Sequence, residues 1–366
     1  MTEETASGRR PGRSGVREAL IDVEAIGRNI ALGRRASGID RVLADVSHNA
    51  YGHGAVHAAH AARRAGAAGL LVAGPEEARA LREAGILLPI YATRLTGPAG
   101  MALAERYRVV VPVLDAEGLA DAAQARVPGV QLMLDIGGDV RGADDWRTLC
   151  QAARAGAAPV RGVMAGIDTF DPRAEALLES AIETLHDCGL GAAMLHVCDY
   201  EPGHGLEGYR QNTLRMSAAL YGLSAYPEGA APGLEPALTL TAPLVAVKPV
   251  AAGEGVSYGY TYTTSHDTCV LLVPLGYGDG IPRRSGNIAR VSVRGVALPV
   301  AGRVAMDAMM LDGHALLERG IWPEVGDVAT VIGTAGWPAG RWARALQTTS
   351  LDIVSRLGPR ISRIER

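Results

Sequence analysis

His48, Tyr51 and His53 fall inside one short stretch, Val42 to Gly54, that reads VLADVSHNAYGHG. An apolar run leads into polar residues and two closely spaced glycines, which predicts a buried strand, a tight turn and then a helix. Side chains just past a strand end are where α/β folds place their chemistry. An imidazole such as that of His48 titrates near neutral pH and suits acid–base work, although a solvent-facing histidine is the plainer reading. His53, His57 and His60 recur at helical spacing and suggest a metal-binding face, against the plainer reading of an alanine-rich helix. A second group lies around His196, Cys198 and Asp199, with His204 nearby. Residues i and i+2 share a face in a strand, so His196 and Cys198 together with Asp135 and Asp168 offer a metal set; a structural histidine beside a buried thiol is the simpler account. Asp168 and Asp171 flank Phe170, the chain's one phenylalanine, in a polar loop where solvated carboxylates are the default. Lys248 is the only lysine, hence the only side-chain amine able to form an imine, and it lies in LVAVKPVAAGE, where an exposed strand lysine is the ordinary expectation.

These residues need elements to hold them. Eight short apolar runs, Arg41–Val46, Gly69–Ala73, Pro89–Thr93, Val109–Leu114, Val130–Asp135, Val160–Ala165, Ala193–Cys198 and Arg215–Tyr221, alternate with amphipathic segments. Continuous apolar runs suit parallel strands covered on both faces. The segment PEEARALREAG carries acidic residues at its start and Gly85 at its end, the signals that open and close a helix. Eight such units predict a (β/α)8, TIM-like barrel over residues 17–232, entered by a helix at Asp22–Ser37. After Pro232 the runs Leu238–Val250, Thr268–Pro274, Ala289–Val293, Val296–Arg303 and Val328–Ile332 alternate or are β-branched, which predicts a mostly antiparallel β domain over 233–366. Trp342–Thr348 reads as a short helix.

Composition narrows the partners. The 366 residues carry a net charge of −3, with no basic stripe interleaved with aromatics, so nucleic acid is not expected. No run of about 18 apolar residues exists, so no membrane span is expected. Residues 1–16 are polar and read as a disordered tail with no apolar signal segment. Cys150, Cys188, Cys198 and Cys269 are scattered, as in reduced cytoplasmic proteins. A small molecule is the expected ligand.

The stretch VLADVSHNAYGHG closely resembles the signature of alanine racemases and the fold-type III pyridoxal phosphate (PLP) family. The resemblance extends from ALIDVEAIGRNI to GPRISR, through LLVAGPEEARALREAGILLPIYAT, RMSAALYGL, GVSYGYTYTT, PLGYGDGIPRR and AGRVAMDAMM. It implies a barrel followed by a β domain, and a homodimer with shared active sites. It also implies roles. Tyr51, Arg215, Tyr258, Tyr277, Met306 and Asp307 match the family's functional positions, Tyr258 as a catalytic base and Arg215 against the cofactor's pyridine nitrogen. Ser47 stands where the family has its Schiff-base lysine. Met133, Gly166, Asp199, Tyr200 and Ser217 stand where it has other cofactor-supporting residues, and Arg141 is out of register with the family's arginine.

A serine forms no imine, and Asp199 with the bulky Tyr200 would repel and crowd a phosphate. The expectation is therefore that no covalent cofactor is present, with non-covalent PLP and a metal disfavoured but left open. The favoured function is a repurposed, PLP-independent enzyme on a small amino-acid-like or carbonyl substrate. Its acid–base groups are drawn from Tyr258, His48, Tyr51, Asp135 and Asp199, and its substrate contacts from Arg215, Tyr277, Met306, Asp307, Ser47 and Tyr200. The alternatives are a non-catalytic ligand-binding descendant or partner of an active homologue, and alanine racemase itself. A small anionic ligand is expected at Arg215, unless Asp199 or Asp135 neutralises that charge from within.

Overall fold

A computed structural model describes residues 16–136, 142–143, 145–156, 158–166, 172–197, 199–200, 211–224 and 233–366. The tail expected over 1–16 lies, but for Val16, outside the described residues, as do Arg141, Asp168, Phe170, Asp171, Cys198 and His204. Two compact units divide the chain. One is Asp22–Ala237, and the other is Leu238–Arg366 together with the N-terminal strand.

That N-terminal strand, β1 (Glu18–Ile21), departs from the sequence expectation. It lies within the 17–232 span expected for the barrel, yet it pairs antiparallel with Leu238–Pro243 and parallel with Ser362–Glu365 in the sheet of the second unit. Ala19 and Ile21 are fully buried there, and that burial holds the strand. The boundary between the units consequently falls after Ile21 and again after Ala237, and not at 232.

The first unit opens with the helix Val23–Ser37, capped by the Asp22 carboxylate, which accepts the Ala25 N–H at 2.8 Å. Eight parallel strands follow: β2 (Val42–Asp45), β3 (Gly69–Val72), β4 (Ile90–Ala92), β5 (Val109–Val113), β6 (Val130–Asp135), β7 (Val160–Gly166), β8 (Met194–His196) and β9 (Leu214–Met216). They pair in the order β8-β7-β6-β5-β4-β3-β2-β9. Every residue of β2, β3, β4 and β5 is buried, as strands covered on both faces require. Leu43, Leu71, Tyr91 and Val110 pack together, with Met194 against them, in one apolar cluster.

Between β8 and β9 the circle is almost closed. The Asn212 and Thr213 N–H groups both donate to the Leu195 carbonyl at 3.2 Å, and Asp199 and Arg215 form an isolated parallel bridge. The last barrel strand was expected over Arg215–Tyr221. Instead β9 ends at Met216 and Ala218–Tyr221 is a 3₁₀ turn, ended by Gly222 at φ 69°, where a side chain would run into the Glu235 carbonyl.

The second unit, taken by itself, holds a six-stranded sheet in the order Val296–Pro299, Arg290–Val293, Val328–Ile332, Leu238–Pro243, β1, Ser362–Glu365. A three-stranded antiparallel sheet is formed by Ala246–Val250, Thr268–Val273 and Met309–Asp312. The short helix expected at Trp342–Thr348 is Ala339–Ala345, seated on the fully buried Trp342.

Candidate active site

At the C-terminal end of β2 the backbone does something that sequence patterning does not predict. His48, Asn49, Ala50 and Tyr51 all take left-handed conformations, with φ of 51°, 56°, 55° and 50°. L-residues avoid this region because Cβ crowds the following carbonyl, at about 1–2 kcal/mol per residue. Four in succession persist only where the surroundings fix them, and such strain gathers at functional sites. The surroundings here are specific. Ser47 N–H donates to Asp45 Oδ1 at 2.9 Å, His48 N–H to Glu77 Oε1 at 2.9 Å, and Ala50 N–H to the Val46 carbonyl at 2.9 Å. The Asn49 side chain accepts the N–H of Ala55, the first residue of the helix Ala55–Arg64, at 2.9 Å. Gly52 and Gly54, at φ 86° and 95°, release the chain from the turn.

The turn aims Tyr51 back at the strand that precedes it. Its hydroxyl donates to Asp45 Oδ2 at 3.1 Å, and its ring lies 5.8 Å from that of Tyr221. Tyr221 is fully buried, donates to the Asp45 carbonyl at 2.6 Å, and stacks on His53 with centroids 4.4 Å apart. Ser217, just past β9, has its hydroxyl 2.8 Å from Asp45 Oδ2 and 2.7 Å from Asp199 Oδ1. The Arg215 Nε in turn donates to Asp199 Oδ1 at 2.9 Å, with side-chain exposures of 18% for the arginine and 47% for the aspartate. An unbroken chain of polar atoms thus runs Tyr51, Asp45, Ser217, Asp199, Arg215 across the seam where the barrel closes.

The electrostatics of this chain follow from burial. Among the described residues no cation pairs with Asp45, and loss of water pushes its carboxyl well above the usual carboxylate range, more than the Ser47 and Ser217 hydrogen bonds restore. Burial, then the neighbouring Asp45 and Asp199, push the Tyr51 phenol up, so it remains protonated. Asp199 is half exposed and holds its guanidinium partner. Arg215 is thus paired through its Nε with a carboxylate of its own chain.

The remaining residues singled out in sequence fall in several places. Ser47 is buried in the turn, and Tyr200 is buried in the seam, its N–H donating to the Arg215 carbonyl at 2.8 Å. Asp135 ends β6 and its carbonyl accepts the Trp146 indole N–H at 3.1 Å. The His48 side chain is 69% exposed, 3.9 Å from Glu77, so it faces solvent. His53 precedes the helix that carries His57 and His60 and is buried against Tyr221, so the three do not form one helical face. His196 is buried, with Nε2 3.1 Å from Gln131 Oε1; burial and then the Arg215 charge push it down to about 3. Among the described residues no cluster of three or more His, Cys, Asp or Glu side chains could hold a metal.

In the second unit, Tyr258, Tyr277, Met306 and Asp307 are all exposed. Tyr258 opens a 3₁₀ turn behind Ser257, whose hydroxyl donates to the Arg303 carbonyl at 2.6 Å. The Tyr277 and Met306 loops are laced together by Tyr277 N–H to Ala305 O at 3.0 Å and Gly278 N–H to Met306 O at 2.8 Å. Asp307 is paired with Arg360 at 2.7 Å, which also reaches the buried Asp279 at 3.0 Å. Asp45 is the site residue that sequence reasoning missed. Its signal was a carboxylate inside an otherwise apolar strand, two residues before Ser47.

Comparison with known proteins agrees with this architecture. The family described as "Alanine racemase, N-terminal domain" matches residues 21–224, and "Alanine racemase, C-terminal domain" matches 237–365. The chain is 38% identical to a Thermobifida fusca protein named alanine racemase, covering 95% of this chain and 97% of that one. It is 36% identical to a Streptomyces coelicolor protein of the same name, over 100% and 99%. A solved structure, the alanine racemase of D-cycloserine-producing Streptomyces lavendulae, superposes with a TM-score of 0.85 at 35% identity, over 96% and 97% of the two chains.

Members of this family depend on PLP, so the expectation that disfavoured PLP for this chain is overturned. The described barrel residues meet that group in part. Tyr51 and Arg215 lie at barrel strand ends, whereas a carboxylate and a serine hydroxyl occupy the seam, and the chain's one side-chain amine, Lys248, is exposed on the strand Ala246–Val250 of the other unit. The chemistry the geometry displays is that of the chain's own side chains. With both of the family's domains matched in sequence and close relatives spanning nearly its whole length, the chain belongs to the alanine racemase family.

Proposed function

We propose that this protein is a repurposed member of the alanine racemase family that relocates protons on a small carbonyl or amino-acid-like molecule, an isomerase-type reaction. The observation that carries the reading is the continuous path from Tyr51 through Asp45 and Ser217 to Asp199. A half-exposed carboxylate at one end accepts a proton from the carbon next to a carbonyl, and a protonated phenol at the other end returns one to the neighbouring atom. The hydroxyl between them lets the chain reset without solvent. Ser47, which the resemblance sets at the place of the family's lysine, cannot form an imine, and this supports a change of chemistry rather than of substrate alone. The reading takes the protein to be a homodimer with shared sites, as the resemblance implies, and cytoplasmic, as its scattered cysteines suggest. Among the described residues no helix is long and apolar enough to cross a membrane.

The internal pairing of Arg215 with Asp199 favours a second reading, a non-catalytic descendant whose former anion site is filled by its own carboxylate. One experiment separates the two. The purified protein is incubated in D2O with a panel of small 2-oxo and 2-hydroxycarbonyl compounds and amino acids, alanine included, with and without added PLP, and loss of the α-proton is followed by NMR. The isomerase reading expects exchange with at least one compound that falls at least about 100-fold in both Asp199→Asn and Tyr51→Phe, the usual weight of a positioned acid or base. No exchange with any compound supports the non-catalytic reading. D-alanine formed only with added PLP would return the protein to alanine racemisation.

A further inference from the structure

The seam contains one hydrogen more than its hydroxyl groups supply. Three close oxygen pairs, Tyr51 to Asp45 at 3.1 Å, Asp45 to Ser217 at 2.8 Å and Ser217 to Asp199 at 2.7 Å, need three hydrogens. Tyr51 and Ser217 bring one each. With both carboxyls ionised, the Ser217 hydroxyl could satisfy only one of them and would set its lone pairs against the other at hydrogen-bond distance, a repulsive contact. A third hydrogen must sit on Asp45 or Asp199.

The surroundings decide which. Asp199 is half exposed and bound to a guanidinium, both of which favour its charge. Asp45 is buried at the end of β2, and among the described residues the groups facing it are the Tyr51 and Ser217 hydroxyls, the Ser47 N–H and side chain, the Tyr221 hydroxyl on its carbonyl and, across Ser217, the Asp199 carboxylate; none of these is a cation. We propose that Asp45 is held as a neutral carboxylic acid, a proton store that the Ser217 hydroxyl connects to Asp199. In a transfer the Asp45 Oδ2–H bond breaks and a bond to Ser217 Oγ forms, while the hydroxyl's own hydrogen passes to Asp199 Oδ1. Asp45 is left as a carboxylate that accepts from Ser47 N–H, Tyr51 and Ser217, and Asp199 becomes neutral. One proton and one charge have exchanged sides, and nothing is gained or lost. Asp45 acts through Ser217, so it is a positioning residue in the sense of proton supply.

The inference rests on the same site as the proposed function but not on any turnover, and its test reads the carboxyl directly. Infrared difference spectra of the full-length protein at neutral pH, in H2O and D2O, are expected to show one protonated-carboxyl C=O band. The band should vanish in Asp45→Asn, persist in Asp199→Asn, and move in frequency in Ser217→Ala, which removes its acceptor. A wild-type spectrum without the band at neutral pH overturns the proposal, as does a band indifferent to Asp45→Asn. Should Asp45→Asn not fold, a carboxyl 13C NMR titration of the wild type decides: one aspartate resonance must stay at its protonated position through neutral pH. If every aspartate carboxyl has moved to its ionised position below neutral pH, the store does not exist. Failure of the exchange assay with the band present would sink the isomerase reading alone.

Discussion

Replacing His48 with glycine tests the left-handed turn, because at this position strain can be removed with almost nothing else. The His48 backbone sits at φ 51°, ψ 48°, and its side chain is 69% exposed. Relief of one left-handed residue is worth about 1–2 kcal/mol. Against it stands the extra entropy glycine has in the unfolded chain, about 0.5–1 kcal/mol. The side chain's one polar contact, 3.9 Å from the Glu77 carboxylate, is solvent-exposed and contributes little. The N–H bond to Glu77 belongs to the backbone and remains. The balance is a stabilisation of roughly 0.5–1 kcal/mol, or about 1–4 °C in melting temperature for a unit of this size. Asn49→Gly is the opposing control. Asparagine tolerates this region, so little strain is relieved, while the cap on the Ala55 N–H is lost; about 1 kcal/mol of destabilisation follows. Urea unfolding at neutral pH, with an unchanged slope, measures both. A destabilised His48→Gly, or two variants that shift the same way, would refute the claim that the turn stores strain held by its surroundings.

Two further outcomes follow from the same geometry. His196 is neutral when folded, with its pKa pushed down from 6.5 to about 3, while in the unfolded chain it takes a proton below pH 6.5. The unfolded state therefore binds more protons in that window, and stability falls as pH drops through it, by roughly 3 kcal/mol between pH 6.5 and 4. Asp45 works in the opposite sense, its raised pKa favouring the folded state as pH falls. The wild type must for that reason be compared with His196→Gln, whose acid limb by urea unfolding should be flatter by that amount; parallel limbs would exclude the assignment. Assembly is the other test. Light scattering at micromolar concentration is expected to give twice the 38.1 kDa of one chain, and a monomer would count against shared sites.

Much of the scaffold was legible because it is written locally. Seven of the eight apolar runs became barrel strands within a residue or two of their expected ends, since a strand buried on both faces needs a continuous apolar run wherever it sits. The Asp22 cap and the Gly85 stop were equally readable, as both act within a turn of the chain. The signature around Tyr51 located the mouth. What the sequence did not determine depended on residues far apart. β1 reads as a strand anywhere, and only pairing with Leu238–Pro243 and Ser362–Glu365, more than two hundred residues away, assigns it to the second unit. The run at Arg215–Tyr221 is apolar enough for a strand, but Tyr221 must turn inward to reach the Asp45 carbonyl, and the chain tightens into a 3₁₀ turn to do so. Asp45 in isolation is a misplaced charge in an apolar strand. Its protonation is set by burial and by the charge of Asp199 across Ser217, which lies 172 residues along the chain, groups brought together where the barrel closes. Periodicity records the neighbours a residue has along the chain; the proton a buried carboxyl carries depends on the neighbours it has in space, and those only the closed barrel supplies.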